Sequence, residues 1–238
     1  MQSMLVEQPQ TGPLAAHVGP GPRVLYLGGF GRSGSTLIGR ALAEAPGAIC
    51  VGETCYLWSR GLVHNVQCGC GEPFRNCAFW GAVGEAAFGG WERLDAAGIA
   101  EIDRVTTRLR ALPFHWLAPP DSPFATAIDR YVEHLDRLYR GIAEVSGAAL
   151  IVESSKDANF ASLLSRVPGL QTRIVHLVRD PRAVAYSWTR SRRHASPIAG
   201  SEFMPTFTPT ATAAPTVQAI ASQRWRRELR GLGGPGIP

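Results

Sequence analysis

The 238-residue chain is nearly devoid of lysine: Lys156 is the only one, against 23 arginines, and the formal net charge is +5. An arginine-favouring composition explains most of that imbalance. A single retained ammonium hints that its position needs a compact point charge, which a planar guanidinium does not supply. The basic balance is compatible with an anionic ligand but identifies none. Also missing is any apolar run near the roughly 18 residues of a membrane span, so no span is expected. Met1 to Pro22 has no basic start followed by an apolar stretch. No secretory signal is therefore expected, and the expected location is the cytoplasm. Cysteines number five (Cys50, Cys55, Cys68, Cys70 and Cys77), and an odd count argues against a fully paired disulfide framework. Cys68-Gly-Cys70 followed by Cys77 suggests zinc, but the spacing matches no common structural site and His64 is the only nearby imidazole. Structural or free-thiol roles are favoured, and no metal is expected.

Hydrophobic residues make up 45% of the chain and charged residues 18%, a globular balance with enough apolar material for one core. Residues 1–22 read as a flexible tail, 23–230 as one domain and 231–238 as a disordered tail. Within the domain, Arg23 to Leu27 is a buried-type strand ended by Gly28-Gly29-Phe30-Gly31, and Ser35 to Ala45 reads as a helix stopped by Pro46-Gly47. Ala48 to Val51 is a second short strand. Residues 61–90 have weak periodicity and read as a loop or insertion. Helices are expected over roughly Ala97–Leu112 and Ser122–Val145, the second with an apolar residue every three or four positions. Next come a strand at Ala149–Glu153, a helix at Asp157–Val167 and a strand at Arg173–Val178. Asp180 then caps a helix, with Pro181 at its first position, running to about Arg193. Residues 194–216, rich in Pro, Thr and Ala, read as a mobile loop that could cover a cleft. A last helix is expected from Pro215 to Arg230. Strands alternating with helices across short breaks predict an α/β fold with a central parallel sheet flanked by helices.

Two segments carry chemistry. The first is Gly29-Phe30-Gly31-Arg32-Ser33-Gly34-Ser35-Thr36, between a strand and a helix. It resembles the nucleoside-triphosphate P-loop, with Ser35 standing where the lysine belongs. Glycines let backbone N–H groups turn inward, and the helix N-terminus favours an anion. Without the loop lysine, a β,γ-phosphate pair loses its usual clamp, which counts against a P-loop kinase. The second segment is Val178-Arg179-Asp180-Pro181-Arg182-Ala183-Val184-Ala185-Tyr186-Ser187. Arg179 ends a strand and Ser187 lies two turns into the next helix; an arginine fork and a hydroxyl can hold a separate phosphate.

In that order and context, the two segments resemble the 5'-phosphosulfate loop and the 3'-phosphate motif of sulfotransferases that use 3'-phosphoadenosine-5'-phosphosulfate (PAPS). The match is closest to bacterial members and, in outline, to tyrosylprotein sulfotransferases. It covers roughly Val24 to Trp225 and implies a three-layer P-loop NTPase-like fold. By this resemblance Arg32, Ser33, Gly34, Ser35 and Thr36 hold the 5' end of the nucleotide, and Arg179 and Ser187 hold the 3'-phosphate. Gly52-Glu53-Thr54 is similar to the segment with the family's catalytic glutamate, and Ser155-Lys156-Asp157 to the segment with its catalytic lysine. The Cys-Gly-Cys-Gly and Cys-Ala-Phe-Trp pieces between Cys68 and Trp80 also recur in bacterial members. The expected activity is in-line sulfuryl transfer from PAPS to a hydroxyl or amine, with Glu53 as base, Lys156 stabilising the leaving group, Arg32 assisting and no metal. The expected acceptor is a small molecule, carbohydrate or peptide. No nucleic acid partner is implied, and a homodimer stays open. The family usually continues beyond the equivalent of Trp225 with further contacts to the 3'-phosphate and adenine. The alternatives are thus a catalytically impaired nucleotide-binding protein and, less favoured, a P-loop kinase.

Overall fold

The computed structural model describes residues 21–190 except 109 and 110, together with the backbone of 193–198 and 201–203. Four parallel strands form the central sheet: β1 (Arg23–Gly29), β2 (Ala48–Gly52), β3 (Leu150–Lys156) and β4 (Gln171–Leu177), in the order β2-β3-β1-β4. Helix α1 (Ser35–Ala43) joins β1 to β2, while α2 (Ala78–Phe88), α3 (Ala96–Thr106), α4 (Phe114–Leu117) and α5 (Pro123–Ser146) lie between β2 and β3. Helix α6 (Ala158–Leu164) precedes β4, and α7 (Pro181–Thr189) follows it. The expected α/β class with a helix-flanked parallel sheet is therefore what the chain adopts. Among the described residues, no helix is long and apolar enough to cross a membrane.

Alternation along β1 sorts the helices onto two faces. Leu27 points to α1, where Gly39 leaves so little room that an added Cβ would lie 2.9 Å from Cys50 Sγ and 3.7 Å from Leu27. Tyr26 points the other way: its ring centroid is 6.4 Å from that of Phe160 in α6. On that second face the long helix α5 buries Ile128, Tyr131, Leu135, Leu138, Tyr139 and Ile142. Its ends follow the chemistry of its sequence. Ser122 accepts from the Ala125 amide, Pro123 occupies the first turn, and Gly147 closes the helix in the left-handed region.

Several boundaries differ from the sequence expectation, each for a physical reason. The 61–90 segment is not simply a loop. A π-helical turn spans Leu57–Val63, a 3-10 turn spans Phe74–Asn76, and α2 follows. Helix α2 escapes periodicity because its apolar residues surround the axis, masking the stripe it buries. Its glycines mark close packing: a Cβ on Gly84 would lie 2.4 Å from the Trp91 ring, whose Nε1 donates to Trp80 O at 2.8 Å. Helix α3 ends at Thr106, not near Leu112. The carbonyl of that residue meets the buried His115 ring at 2.8 Å, which turns the chain into α4. Helix α7 stops at Thr189. Beyond it, strands β5 (Arg193–Ile198) and β6 (Ser201–Phe203) pair antiparallel within the segment expected to be a mobile loop. The expected helix at 215–230 and both tails, but for 21–22 of the first, lie outside the described residues.

One buried acid makes stability pH-dependent. Asp103 of α3 accepts from Tyr131 OH at 2.6 Å, yet burial lifts its carboxyl from 3.8 to about 7. A folded value raised above the unfolded one means that the folded state holds the proton longer. Stability is then fully present below about pH 4 and is lost as pH rises towards 7. Asp103→Asn keeps an acceptor for Tyr131 and cannot ionise. It should shrink the difference in Tm between about pH 5 and about pH 8 relative to the parent; an unchanged difference would contradict the assignment.

Candidate functional site

The carboxyl ends of β2 and β3 are fastened together by one buried carboxylate. Glu153, fully buried, accepts from the Ser155 amide at 2.8 Å and from Tyr139 OH at 2.8 Å. It also takes close hydrogen bonds from the hydroxyls of Thr54 and Ser155, and a longer one, 3.4 Å, from the Thr54 amide. Ser155 Oγ in turn accepts from the Cys55 amide at 3.1 Å. Burial pushes the Glu153 carboxyl upward, while the hydrogen bonds from Ser155, Thr54 and Tyr139 oppose that shift. The network bridges the turn after β2, the end of β3 and helix α5.

Register slips accompany this network. The pairing of β3 with β2 shifts between Cys50 and Gly52, and with β1 between Tyr26 and Gly28. Such irregularities re-aim side chains at sheet edges. Gly52 takes φ 78°, which lets the chain leave β2 sharply, and Lys156 itself sits at φ 68°. A left-handed lysine costs of order 1 kcal/mol or more and persists only where its surroundings enforce it. The consequence is that Glu53 and Lys156, 103 positions apart, form an ion pair. Lys156 Nζ also donates to Ser154 O at 2.8 Å. The Glu53 side chain keeps 36% of its exposure and that of Lys156 keeps 16%, so the pair opens to solvent at the sheet edge.

The neighbouring strands supply the second half. After β1, Phe30 O accepts from the Ser33 amide at 3.2 Å and from Ser33 Oγ at 2.5 Å, closing a tight turn. Arg32 lies at φ 70° and Gly34 at φ 95°. Gly34 is the N-cap of α1 and offers no side-chain cap, whereas α3, α5, α6 and α7 are capped by Asp95, Ser122, Asp157 and Asp180. The first amides of α1 therefore have no side-chain acceptor, a favourable place for an anion. Ser35 is buried and Thr36 exposed. From the end of β4, Arg179 Nη1 donates to Arg32 O at 3.0 Å. The Arg32 guanidinium stacks over Trp188 of α7, 4.7 Å from the ring centroid. Ser187, one residue earlier, is buried in α7.

Strand order thus sets the residues in a row: Glu53, Lys156, the Arg32–Thr36 turn, then Arg179. With strands about 4.8 Å apart, the row is roughly 14 Å long. Glu53 meets Lys156 and Arg179 meets Arg32. Ser33 spends its hydroxyl on the loop itself. Reading the sequence missed Glu153, Tyr139 and Trp188. The signal for the first was in view: a carboxylate ending an otherwise apolar strand, Ala149 to Glu153, must find buried donors. Comparison with protein-family models, with curated proteins and with solved structures yields no match.

Removing the Glu153 carboxylate leaves the Ser155 and Thr54 amides without their acceptor, at about 1–3 kcal/mol for each buried group. Glu153→Ala should therefore lower unfolding free energy in urea by at least about 2 kcal/mol, and Glu153→Gln by clearly less, because hydroxyls can turn to face an amide. Equal losses in the two variants would contradict the fastening role.

Proposed function

We propose that the chain is a PAPS-dependent sulfotransferase built on a P-loop-like nucleotide fold. The observation that carries this reading is the meeting of Glu53 and Lys156 at the carboxyl edge of a parallel sheet, beside a glycine turn whose helix has no side-chain cap. Open α/β sheets bind their ligands at that edge.

The residues fit the nucleotide in outline. The N-terminus of α1, with Gly34 as an open cap and Thr36 exposed on the first turn, suits the 5'-phosphosulfate. Arg32 supplies charge to the same turn, and its stacking on Trp188 limits how far it can swing. Arg179, one strand further out and tied to Arg32 O, suits a phosphate at the other end of the nucleotide, with Ser187 behind it on α7. The buried Ser35 replaces the loop lysine that a triphosphate site needs.

The chemistry follows from the ion pair. The acceptor hydroxyl gives its proton to Glu53 as its oxygen bonds to sulfur. The bond from sulfur to the bridging oxygen breaks in line, and the electron pair stays on the 5'-phosphate oxygen of the departing 3',5'-bisphosphate. Lys156 leaves Glu53 and moves to that oxygen as its charge grows. One movement of Lys156 thus serves both ends of the reaction: it frees the Glu53 carboxylate for the acceptor proton and brings charge to the departing oxygen. Ser154 O and the left-handed backbone at Lys156 fix where the ammonium starts.

The test is turnover with PAPS and a panel of phenols, sugars, amines and tyrosine peptides, followed by mass. Glu53→Gln should lower kcat by about 10²–10⁴-fold, the usual worth of a general base. Lys156→Ala should produce a loss of similar order, with the KM for PAPS shifting far less. Normal turnover in both variants would refute these roles. Binding of the nucleotide with no turnover on any acceptor would instead make the chain a non-catalytic nucleotide binder.

A further inference from the structure

Three cysteines that the proposed chemistry does not use meet at one corner of the molecule. The Sγ atoms of Cys68, Cys70 and Cys77 all lie within 4.8 Å of one another. Bonds of about 2.3 Å to a tetrahedral zinc place its sulfur ligands roughly 3.8 Å apart, so a modest contraction of this triangle encloses the ion. We propose that Cys68, Cys70 and Cys77 form a structural zinc site, with a water molecule as the fourth ligand.

The backbone around the sulfurs has the form that such a site requires. Gly71 at φ 99° turns the chain so that Cys68 O accepts from the Gly71 amide at 3.0 Å and Glu72 O accepts from the Cys68 amide at 2.7 Å. Gln67 pairs with Pro73 in an antiparallel bridge, and its side chain donates to Gly71 O at 2.6 Å. This small knuckle carries Cys68 and Cys70 on one tight turn. The third sulfur arrives from elsewhere. Cys77 is the N-cap of α2, its side chain makes no capping bond, and it is buried while Cys70 is exposed. All three are free thiols, and no fourth Cys, His, Asp or Glu joins them among the described residues. Three thiolates select a soft ion, and the exposed side at Cys70 leaves the remaining position to solvent.

The cysteine trio suggested zinc, but its spacing, Cys-x-Cys followed seven positions later by Cys, matches no common structural site. Folding supplies what spacing does not: the knuckle and the first turn of α2 are brought edge to edge by Phe74 and Trp80, whose rings stack with centroids 5.4 Å apart. Phe74 in turn presses on Gly61, where an added Cβ would lie 3.0 Å from the ring. The ion would lock the segment that follows Glu53 onto α2 and α5.

The full chain, expressed with zinc and freshly purified under reducing conditions, should contain close to one zinc per molecule by elemental analysis. Replacement by cobalt should produce the sulfur-to-metal charge-transfer band and the intense visible bands of a tetrahedral thiolate site. A strong chelator should lower Tm. Cys77→Ser alters a buried cap, so the decisive variant is Cys70→Ser at the exposed position. It should fold, weaken zinc binding by roughly tenfold or more and lose the chelator effect on Tm; Cys50→Ser should retain all three signals. The proposal is overturned if Cys70→Ser binds zinc as tightly as the parent, if cobalt gives no charge-transfer band, or if intact mass shows two of the three cysteines joined in a disulfide.

Discussion

A fully buried carboxylate, Glu153, ties the carboxyl ends of two parallel strands to a long helix, and the geometry of the sheet edge follows from it. The group is desolvated, so its worth depends on complete pairing: a buried acceptor with five donor groups around it stabilises, and one with a donor removed does the reverse. Because the donors come from the turn after β2, from β3 and from Tyr139 of α5, the network sets the exit of both strands at once. Glu53 and Lys156 each lie one residue outside it, beside Thr54 and Ser155 respectively. Their meeting is a by-product of satisfying Glu153.

Strain is concentrated at the same edge. Arg32 and Lys156 hold left-handed backbone among non-glycine residues, as does Asn65 elsewhere, and register slips fall at the ends of β2 and β3. The two strained cations lie at the ends of adjacent strands, Lys156 closing β3 and Arg32 in the turn after β1. In the proposed reaction, that strain falls where two charges are to be held in place.

Much of this was legible in the residues. The order of strands and helices followed from short apolar runs and their Gly/Pro breaks, and the cap at Asp180 announced its helix. The glycine turn and Arg179 could be assigned to strand ends because ligands favour that edge of a parallel sheet. Helix α2 was hidden, since its apolar residues run all round the axis and mask the stripe it buries, Trp80, Val83, Gly84 and Phe88. The pairing of Glu53 with Lys156 was hidden too, because it depends on strand adjacency: β2 and β3 are neighbours although four helices separate them in the chain. The three cysteines were in view but their spacing gave no site, because Cys77 reaches the knuckle through the packing of Phe74 on Trp80.

The central claim is that this row of residues grips both ends of one bisphosphorylated adenosine. Titration calorimetry of the full chain with adenosine 3',5'-bisphosphate, run beside ATP with magnesium, tests it most directly. Saturable binding of the bisphosphate at one site per chain, weakened by Arg179→Ala and much tighter than binding of ATP, is the predicted result. Tighter binding of ATP with magnesium, or no loss of bisphosphate affinity in Arg179→Ala, would contradict it.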